Sequence, residues 1–447
     1  MNPRRLPIIV VILVTIAALV IADRNQTAPA RADVVAQGAL MPVTSPPAAV
    51  SSSFFCAGGT ATAGGGFDAT IVIANPNPTA ITTTITSFPA ASPSDTAGTA
   101  AVAALQPVAK QVQVGPRARA DVHLADILAS PFAAALVETN DPDVAVEHRI
   151  TTAQGSSSSP CASAASKTWF LPTGTTTRDA HEFLAVFNPF SADAVVDVTF
   201  QTNDGFRSPD DLQGLPVAGR HLRIIDVTAD VPRLEQLAAF VTARAGQVVV
   251  DRLQSFDGSD PNHPGGTAVT LGAPQPAPVW TFPEGEVVGG LRESFTVVNP
   301  SNQPQQVRLE ITLDNPATSG VVDPIPITVP PNSYSQVALQ DQTRVPKGIG
   351  HSVTVRSVSG PGVIAERVIS GAAPAPRRGY GPALGAPLQA TNWLFADGSA
   401  VANTSAEFVT IFNPSPDTVA RVSVAALAQG QSLAIDQLQN IEVQPAA

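Results

Sequence analysis

The chain has 447 residues, of which 44% are hydrophobic and 14% are charged, and its formal net charge is −11. An acidic chain without a basic block is not typical of proteins that bind the phosphate backbone of nucleic acids, so no nucleic-acid partner is expected. The 42 prolines and 32 glycines are typical of a turn-rich all-β protein rather than a helical one.

The N-terminus carries Arg4 and Arg5 before an apolar run over residues 6–22. Basic residues before such a run keep the N-terminus in the cytoplasm and direct the rest of the chain outward. The sequence therefore predicts a cytoplasmic tip and a membrane anchor or signal segment over residues 1–32. Cleavage near residues 30–32 and retention as an anchor both remain open. The expected location is the cell membrane, as a single-pass protein with its bulk outside the cytoplasm, or secretion if the segment is cleaved.

One pattern then recurs four times, and each copy opens on an aromatic residue: Phe54, Trp169, Trp280 and Trp393. An apolar run follows each aromatic and ends in Asn-Pro at Asn75, Asn188, Asn299 and Asn413. Self-similarity at a fixed period indicates tandem structural units. The predicted units are residues 50–155, 165–258 and 276–372, with a partial unit over 388–447 that lacks the second half of the pattern.

The third copy shows the strand pattern best. Residues 307–313 alternate apolar and polar side chains, which is typical of a half-buried antiparallel strand. About seven such strands per unit favour a β-sandwich over a barrel or propeller. The predicted fold class is therefore all-β, with tandem Ig-like β-sandwich repeats after an N-terminal transmembrane or signal helix. One helix is expected over residues 231–245, and the connector at residues 156–166 is expected to be flexible.

The two cysteines, Cys56 and Cys161, flank the first unit. In an exported chain such a pair predicts a disulfide, whereas in a reducing compartment two inert thiols are expected. The absence of a Cys-x-x-Cys arrangement argues against redox catalysis and zinc binding.

Two sets of charged residues recur with the repeat. An acid stands six residues before the asparagine in three copies: Glu182, Glu293 and Glu407. An arginine stands on the closing strand in three copies: Arg149, Arg252 and Arg367. The favoured interpretation is structural, because the planar guanidinium can hold a carboxylate or loop carbonyls at a strand end. The alternative is a repeated ligand site.

No constellation for catalysis stands out. The six histidines form no His-Glu-x-x-His pattern, and the glycines of residues 58–66 lack the Lys-Ser/Thr that holds phosphates. The pair Asp210 and Asp211 lies in a loop and is expected to be a solvated turn. We therefore predict no catalytic residue, no cofactor and no metal ligand, and we do not expect an enzyme.

Residues 280–285 (Trp-Thr-Phe-Pro-Glu-Gly), the Asn-Pro at Asn299 and the Glu-Arg at residues 366–367 resemble motifs of a family of exported actinobacterial repeat proteins of unknown function. The resemblance covers about residues 50–447. The first copy departs from it, with Phe54 and Cys56 at the Trp and Phe positions. The resemblance implies a cell-envelope protein and no reaction.

The function expected from these observations is a non-enzymatic structural or interaction protein of the bacterial cell envelope. Its partner would be an envelope protein or polysaccharide, with membrane contact through the N-terminal helix. The alternative is a polysaccharide-binding accessory protein of cell-wall assembly. That alternative needs exposed aromatic faces, but the three tryptophans share a position that is typical of a core, which leaves Tyr334 and Tyr380.

Overall fold

The computed structural model describes residues 40–45, 49–62, 64–93, 105–260, 263–314, 319–375, 377–399, 407–428 and 431–446. The predicted anchor or signal segment at residues 1–32 lies outside the described residues. Within the described ranges, no helix combines the length and apolar character needed to cross a bilayer.

The described chain is almost entirely β, in several small antiparallel sheets, which confirms the predicted all-β class. Unit one contains β1 (Ser52–Cys56), β2 (Asp68–Asn75), β3 (Ile81–Ala90), β4 (Val108–Val114), β5 (Ala118–His123), β6 (Phe132–Thr139), β7 (Ala145–Thr152) and β8 (Gly155–Pro160).

Unit two contains β9 (Thr168–Leu171), β10 (Ala180–Asn188), β11 (Ala194–Thr202), β12 (Gly205–Arg207), β13 (Leu215–Val217), β14 (His221–Asp226), the short helix α1 (Val227–Asp230), β15 (Leu237–Ala245), β16 (Val249–Phe256) and β17 (Gly266–Leu271).

Unit three contains β18 (Val279–Phe282), β19 (Leu291–Asn299), β20 (Gln305–Leu313), β21 (Ile325–Val329), β22 (Ser333–Ala338), β23 (His351–Ser357), β24 (Ile364–Gly371) and β25 (Gly379–Leu384). Unit four contains the short strands β26 (Ala420–Val422), β27 (Ala425–Ala428), β28 (Gln431–Ala434) and β29 (Ile441–Val443).

Units one to three share one strand order. Their first sheets run β1-β6-β3-β4, β9-β15-β11 with β13 on β11, and β18-β23-β20-β21. Their second sheets run β5-β2-β7-β8, β14-β10-β16-β17 and β22-β19-β24-β25. Apolar side chains of the two sheets meet in a buried core in each unit. The closing strands β7, β16 and β24 therefore occupy equivalent central places beside the strands that end in Asn.

Three details differ from the sequence-based expectations. Residues 231–245 do not form a helix, because Leu237–Ala245 is β15, a central strand between β9 and β11. Residues 156–166 are not a flexible connector, because they contain most of β8, which pairs with β7. Each unit also extends one strand beyond its expected boundary, through β8, β17 or β25. Pairing within sheets overrides the local helical pattern at residues 231–245.

The recurring asparagine has a role beyond ending its strand. In unit three, the Asn299 side chain donates to the carbonyl oxygens of Gln303, Val329 and Pro330, and its Oδ1 accepts the Ser301 N–H. Equivalent bonds are made by Asn75, Asn188 and Asn413. A side-chain amide suits this role because it offers two N–H donors together with an acceptor oxygen. The same contact in unit four places its first half in register with the complete units.

The repeated tryptophan is a core residue in units two and three. Trp169 and Trp280 are 2% and 1% exposed, and their indole N–H groups donate to the carbonyls of Val248 and Val363, each at 2.7 Å. Trp393 differs, because 47% of it is exposed. The expectation that all three are buried is therefore wrong for unit four.

Candidate functional site

The recurring glutamates lie beneath the glycine of the turn that follows the first strand. Glu182 and Glu293 are fully buried, and Glu182 accepts the Thr175 N–H at 2.8 Å. A Cβ at Gly285 would lie 2.5 Å from Glu293 Oε1, and one at Gly174 would lie 2.7 Å from Glu182 Oε2. The glycine of the Trp-x-x-x-x-Gly motif thus packs directly against the glutamate further along the chain. Glu407 has the same relation to its glycine but is exposed.

Two buried partners of these glutamates have no recurring signal in the sequence. His351 Nε2 lies 3.0 Å from Glu293 Oε2, and Gln254 Nε2 lies 3.4 Å from Glu182 Oε2. Burial raises the pKa of Glu182 to about 7, although the charge of Arg252 opposes this shift. Glu182 therefore titrates near neutral pH inside unit two.

Replacing Gly285 with alanine is expected to destabilise the protein by about 1–3 kcal/mol, because the new methyl group would overlap the Glu293 carboxylate and His351. Gly289→Ala is the matched control, since nothing lies within 4 Å of a Cβ at that position. Urea denaturation of both variants measures the difference. Equal stability of the two variants would show that the carboxylate can move aside.

The recurring arginines do not all occupy one position. Arg252 pairs with Leu184 in the ladder of β10 and β16, and Arg367 pairs with Phe295 in the equivalent ladder of unit three. The register of unit one puts His148 at this position and Arg149 one residue further along. The prediction of a shared role for Arg149 is therefore wrong, since a shift of one residue turns the side chain to the opposite face.

The junction between units two and three contains a fully buried ion pair. Glu366, on the closing strand of unit three, lies 2.6 Å from Arg252 Nη2 of unit two. The same carboxylate accepts the Thr173 N–H at 3.0 Å and the Thr173 hydroxyl at 2.8 Å. Arg252 also donates to Thr270 Oγ1 at 3.1 Å. Both charges are thus desolvated and matched, with the acid supplied by the next unit.

The junction between units one and two has the same arrangement, with an aspartate in place of the glutamate and a histidine in place of the arginine. Asp251, on the closing strand of unit two, accepts the Ala57 N–H of unit one at 2.8 Å. Its other neighbour is His148 Nε2 at 3.3 Å, and both side chains are 1% exposed. Burial raises the pKa of Asp251 to about 8 and lowers the pKa of His148 to about 4. Both groups are therefore neutral near pH 7.

These shifts predict how stability depends on pH. Folded Asp251 keeps its proton up to about pH 8, whereas the ordinary pKa of an aspartate is 3.8. Its contribution to the free energy of unfolding therefore falls as pH rises from 3.8 to 8. Folded His148 stays neutral down to about pH 4, whereas the ordinary pKa of a histidine is 6.5. Its contribution to the free energy of unfolding therefore falls as pH drops from 6.5 to 4. The two slopes oppose each other between pH 4 and 6.5.

Above pH 6.5 only the aspartate slope of this pair remains. Between pH 7, above which Glu182 adds no further slope, and pH 8, the free energy of unfolding is expected to fall by about 1 kcal/mol. Denaturant titrations at a series of pH values measure this slope, and Asp251→Asn should flatten it. A wild-type curve that rises over this interval would mean that Asp251 is ionised in the folded protein.

Cys56 and Cys161 are joined by a disulfide with a Cα–Cα distance of 4.6 Å. It links the first strand of unit one to the segment after β8, and Cys161 Sγ lies 3.6 Å from His148 Nδ1. Disulfide sulfurs do not offer the thiolates that zinc binds, so this Cys-His group is not a metal site. A second group with ligand atoms close together is Asp179, Asp260 and His263, in which His263 Nδ1 pairs with Asp179 at 3.1 Å.

Unit four contacts the outer face of unit one. Glu147 accepts the Ala396 N–H at 2.9 Å, and burial raises the pKa of Glu147. Asp397 pairs with Arg149 at 2.7 Å and with Arg119 at 3.4 Å. Each closing strand has an acid just before its His148, Arg252 or Arg367. In all three complete units this acid lies at a junction between units.

The comparisons with known proteins give little further information on function. Residues 125–279 match a family described as "Family of unknown function (DUF5719)", and the match covers β6 to β17. No curated protein sequence matches the chain.

Two solved structures are similar to parts of the chain. The crystal structure of Thermotoga maritima 1070 is 16% identical with a TM-score of 0.22, and the match covers 25% of this chain and 95% of that one. The Streptomyces avermitilis alpha-L-rhamnosidase complexed with L-rhamnose is 12% identical with a TM-score of 0.15, over 76% of this chain and 44% of that one. Neither likeness is close enough to carry an argument about this chain.

Proposed function

We propose that the protein is an exported, non-enzymatic structural or interaction protein of the bacterial cell envelope. In this proposal, tandem Ig-like β-sandwich units form a stiff scaffold that an N-terminal segment holds at the membrane. The observation that carries the proposal is the buried polar contact between successive units, above all the ion pair of Arg252 with Glu366. Such junctions fix the angle between neighbouring units, as a scaffold requires.

The titratable groups with strongly shifted pKa values support the same conclusion. Shifted groups often mark active sites, but structural networks shift pKa values as well. Asp251 and Glu182 are almost completely buried, and each has a structural partner among the described residues. A role in holding loops and units together accounts for both.

The alternative, a polysaccharide-binding accessory protein of cell-wall assembly, is supported by one feature of unit four. Trp393, Phe395 and Phe408 are 47%, 64% and 78% exposed. Aromatic faces of this kind can stack on sugar rings. However, the equivalent tryptophans Trp169 and Trp280 are buried, which favours an incomplete core as the reason for the exposure.

The test has two measurements on the full chain produced in a bacterial host. Protease added outside intact cells should cleave the chain. Fractionation of untreated cells should place the chain in the membrane or in the secreted fraction. X-ray scattering should give one rigid particle for the wild type and a flexible one for Glu366→Gln. A cytoplasmic chain would contradict the location, and identical scattering curves would contradict the scaffold role. Loss of Trp393 fluorescence on adding cell-wall polysaccharide would favour the alternative.

A further inference from the structure

A long hairpin loop distinguishes unit two from unit one. Residues 257–265 connect β16 to β17, whereas only residues 153–154 connect the equivalent strands β7 and β8. The long loop is held against the start of β10, because the Asp257 N–H donates to the Asp179 carbonyl at 2.9 Å. Extra loop residues on a rigid sheet often carry function. The side chains that this loop brings to the start of β10 are therefore of interest.

Three side chains with metal-ligating atoms meet at this loop. Asp179 lies immediately before β10, Asp260 and His263 belong to the loop, and one ligand atom of each lies within 4.8 Å of the others. His263 Nδ1 is 3.1 Å from Asp179 Oδ2. Two ligands of a tetrahedral zinc ion are roughly 3.3 Å apart, because each lies about 2.0 Å from the metal. The pair of His263 and Asp179 thus has the spacing that zinc requires, and Asp260 is within reach.

The orientation of the His263 ring is a second observation, independent of this spacing. Its other nitrogen, Nε2, lies 3.3 Å from Oε2 of Glu235, which is outside the group of three. With its proton on Nε2 and donated to Glu235, a neutral imidazole presents a lone pair on Nδ1, opposite the Asp179 carboxylate. A cation must then lie between the two. A carboxylate on the far nitrogen is the usual partner of a metal-binding histidine.

The charge of the site favours a metal ion over a proton as that cation. Asp179, Asp260 and Glu235 surround one imidazole, and among the described residues neither Asp179 nor Glu235 pairs with a lysine or an arginine. A proton on His263 would compensate only one carboxylate, whereas a divalent ion carries two positive charges. The Asp179 side chain is 5% exposed, so its charge is costly without a close counter-charge.

We propose that Asp179, Asp260 and His263 bind one zinc ion, and that Glu235 positions the imidazole. Zinc accepts imidazole nitrogen together with carboxylate oxygen, whereas calcium and magnesium take oxygen ligands. Three protein ligands leave the fourth position of the ion to water. The bound ion ties the hairpin loop of unit two to the start of β10.

The proposal departs from the expectation of no metal ligand. Asp179 lies far from Asp260 and His263 in the sequence, and no motif joins the three, so only the fold brings them together. The scaffold role and the location proposed above do not depend on this site. The zinc site can therefore fail without affecting either of them.

The probe is zinc chloride, titrated by calorimetry into the full chain without an affinity tag. One zinc ion should bind per chain and should raise the urea concentration that unfolds the protein, because only the folded state brings the ligands together. His263→Gln and Asp260→Asn should each weaken binding at least about 100-fold, because each removes a ligand and not only its partner. The matched control is His221→Gln, an exposed histidine that bonds to the Gly219 carbonyl, and it should bind zinc as the wild type does.

Glu235→Gln tests the positioning role separately. Zinc affinity should fall about 10–100-fold, because the imidazole loses the carboxylate that orients it. Stability without zinc should stay at the wild-type level, since the Glu235 side chain is 73% exposed. Unchanged zinc affinity in this variant would contradict the role assigned to Glu235.

Three results would overturn the zinc site. The first is no binding at millimolar zinc. The second is equal binding by the wild type and His263→Gln, which would identify the ion as adventitious. The third is tighter binding of calcium than of zinc, because calcium does not require the imidazole. Circular dichroism shows whether the variants fold, and the Asp260→Asn comparison still decides the question if His263→Gln does not.

Discussion

Trp280→Ala is expected to lower the free energy of unfolding by about 3–5 kcal/mol, the cost of removing a large buried aromatic side chain. Trp280 is 1% exposed, and its indole N–H bonds to the Val363 carbonyl at the start of the closing strand. The substitution opens a cavity between the sheets of unit three and removes one of the two N–H donors to that carbonyl, the other being the Ala277 N–H. Urea denaturation followed by circular dichroism measures the loss.

Trp393→Ala is the matched control, because it changes the same repeat position where nearly half the side chain is exposed. Its effect should stay within about 0.5 kcal/mol. If the two substitutions cost the same, unit four has a packed core and the exposure of Trp393 is misleading.

Glu366→Gln should also cost about 3–5 kcal/mol, because it leaves the Arg252 charge buried without a counter-charge. Thr173 can still donate to the amide oxygen, so the loss reports mainly on the charge. The pair formed by Glu310 and Arg356 is the control, since both side chains are partly exposed. Glu310→Gln should cost less than about 1 kcal/mol.

The double variant Arg252→Met with Glu366→Leu separates the cost of a broken pair from the value of an intact one. Buried ion pairs replaced by apolar residues of similar size often lose nothing. Stability near that of the wild type is therefore expected for the double variant, with loss only in the single ones. A double variant as unstable as Glu366→Gln would mean that the pair stabilises the junction beyond what apolar packing supplies.

The features that could be predicted from the sequence lie within single units. Asn299 and Glu293 recur at nearly constant spacing because each contacts a nearby turn, and Trp280 recurs because it fills the same place in the core of units two and three. Their surroundings could be predicted in part: a core for the tryptophan and a strand end for the asparagine. The contact between Glu293 and Gly285 was open to prediction as well, since both belong to the recurring motif.

The junction partners could not be predicted in the same way. Loops between the asparagine and the closing strand differ in length, so the equivalence of His148 with Arg252 is hidden, and Arg149 is the more conspicuous match. The acids Asp251 and Glu366 point away from their own units, and their partners lie in another repeat. A signal was present, because an acid precedes the basic position in all three complete units. Only the strand register identifies it as a contact between neighbours.

The direction of these contacts has a consequence for how the chain acquires its structure. At the two junctions among units one to three, the acid belongs to the later unit and the acceptor to the earlier one, so unit one gains this contact only after Asp251 of unit two is in place. Synthesis delivers units in the same order, N-terminal first. A local opening at Glu366 should therefore loosen the loop of unit two that contains Thr173. The order is reversed between units one and four, where Glu147 of unit one accepts the Ala396 N–H of unit four. Unit one is therefore completed from two sides, by Asp251 of unit two and by the residues of unit four that contact Glu147 and Arg149.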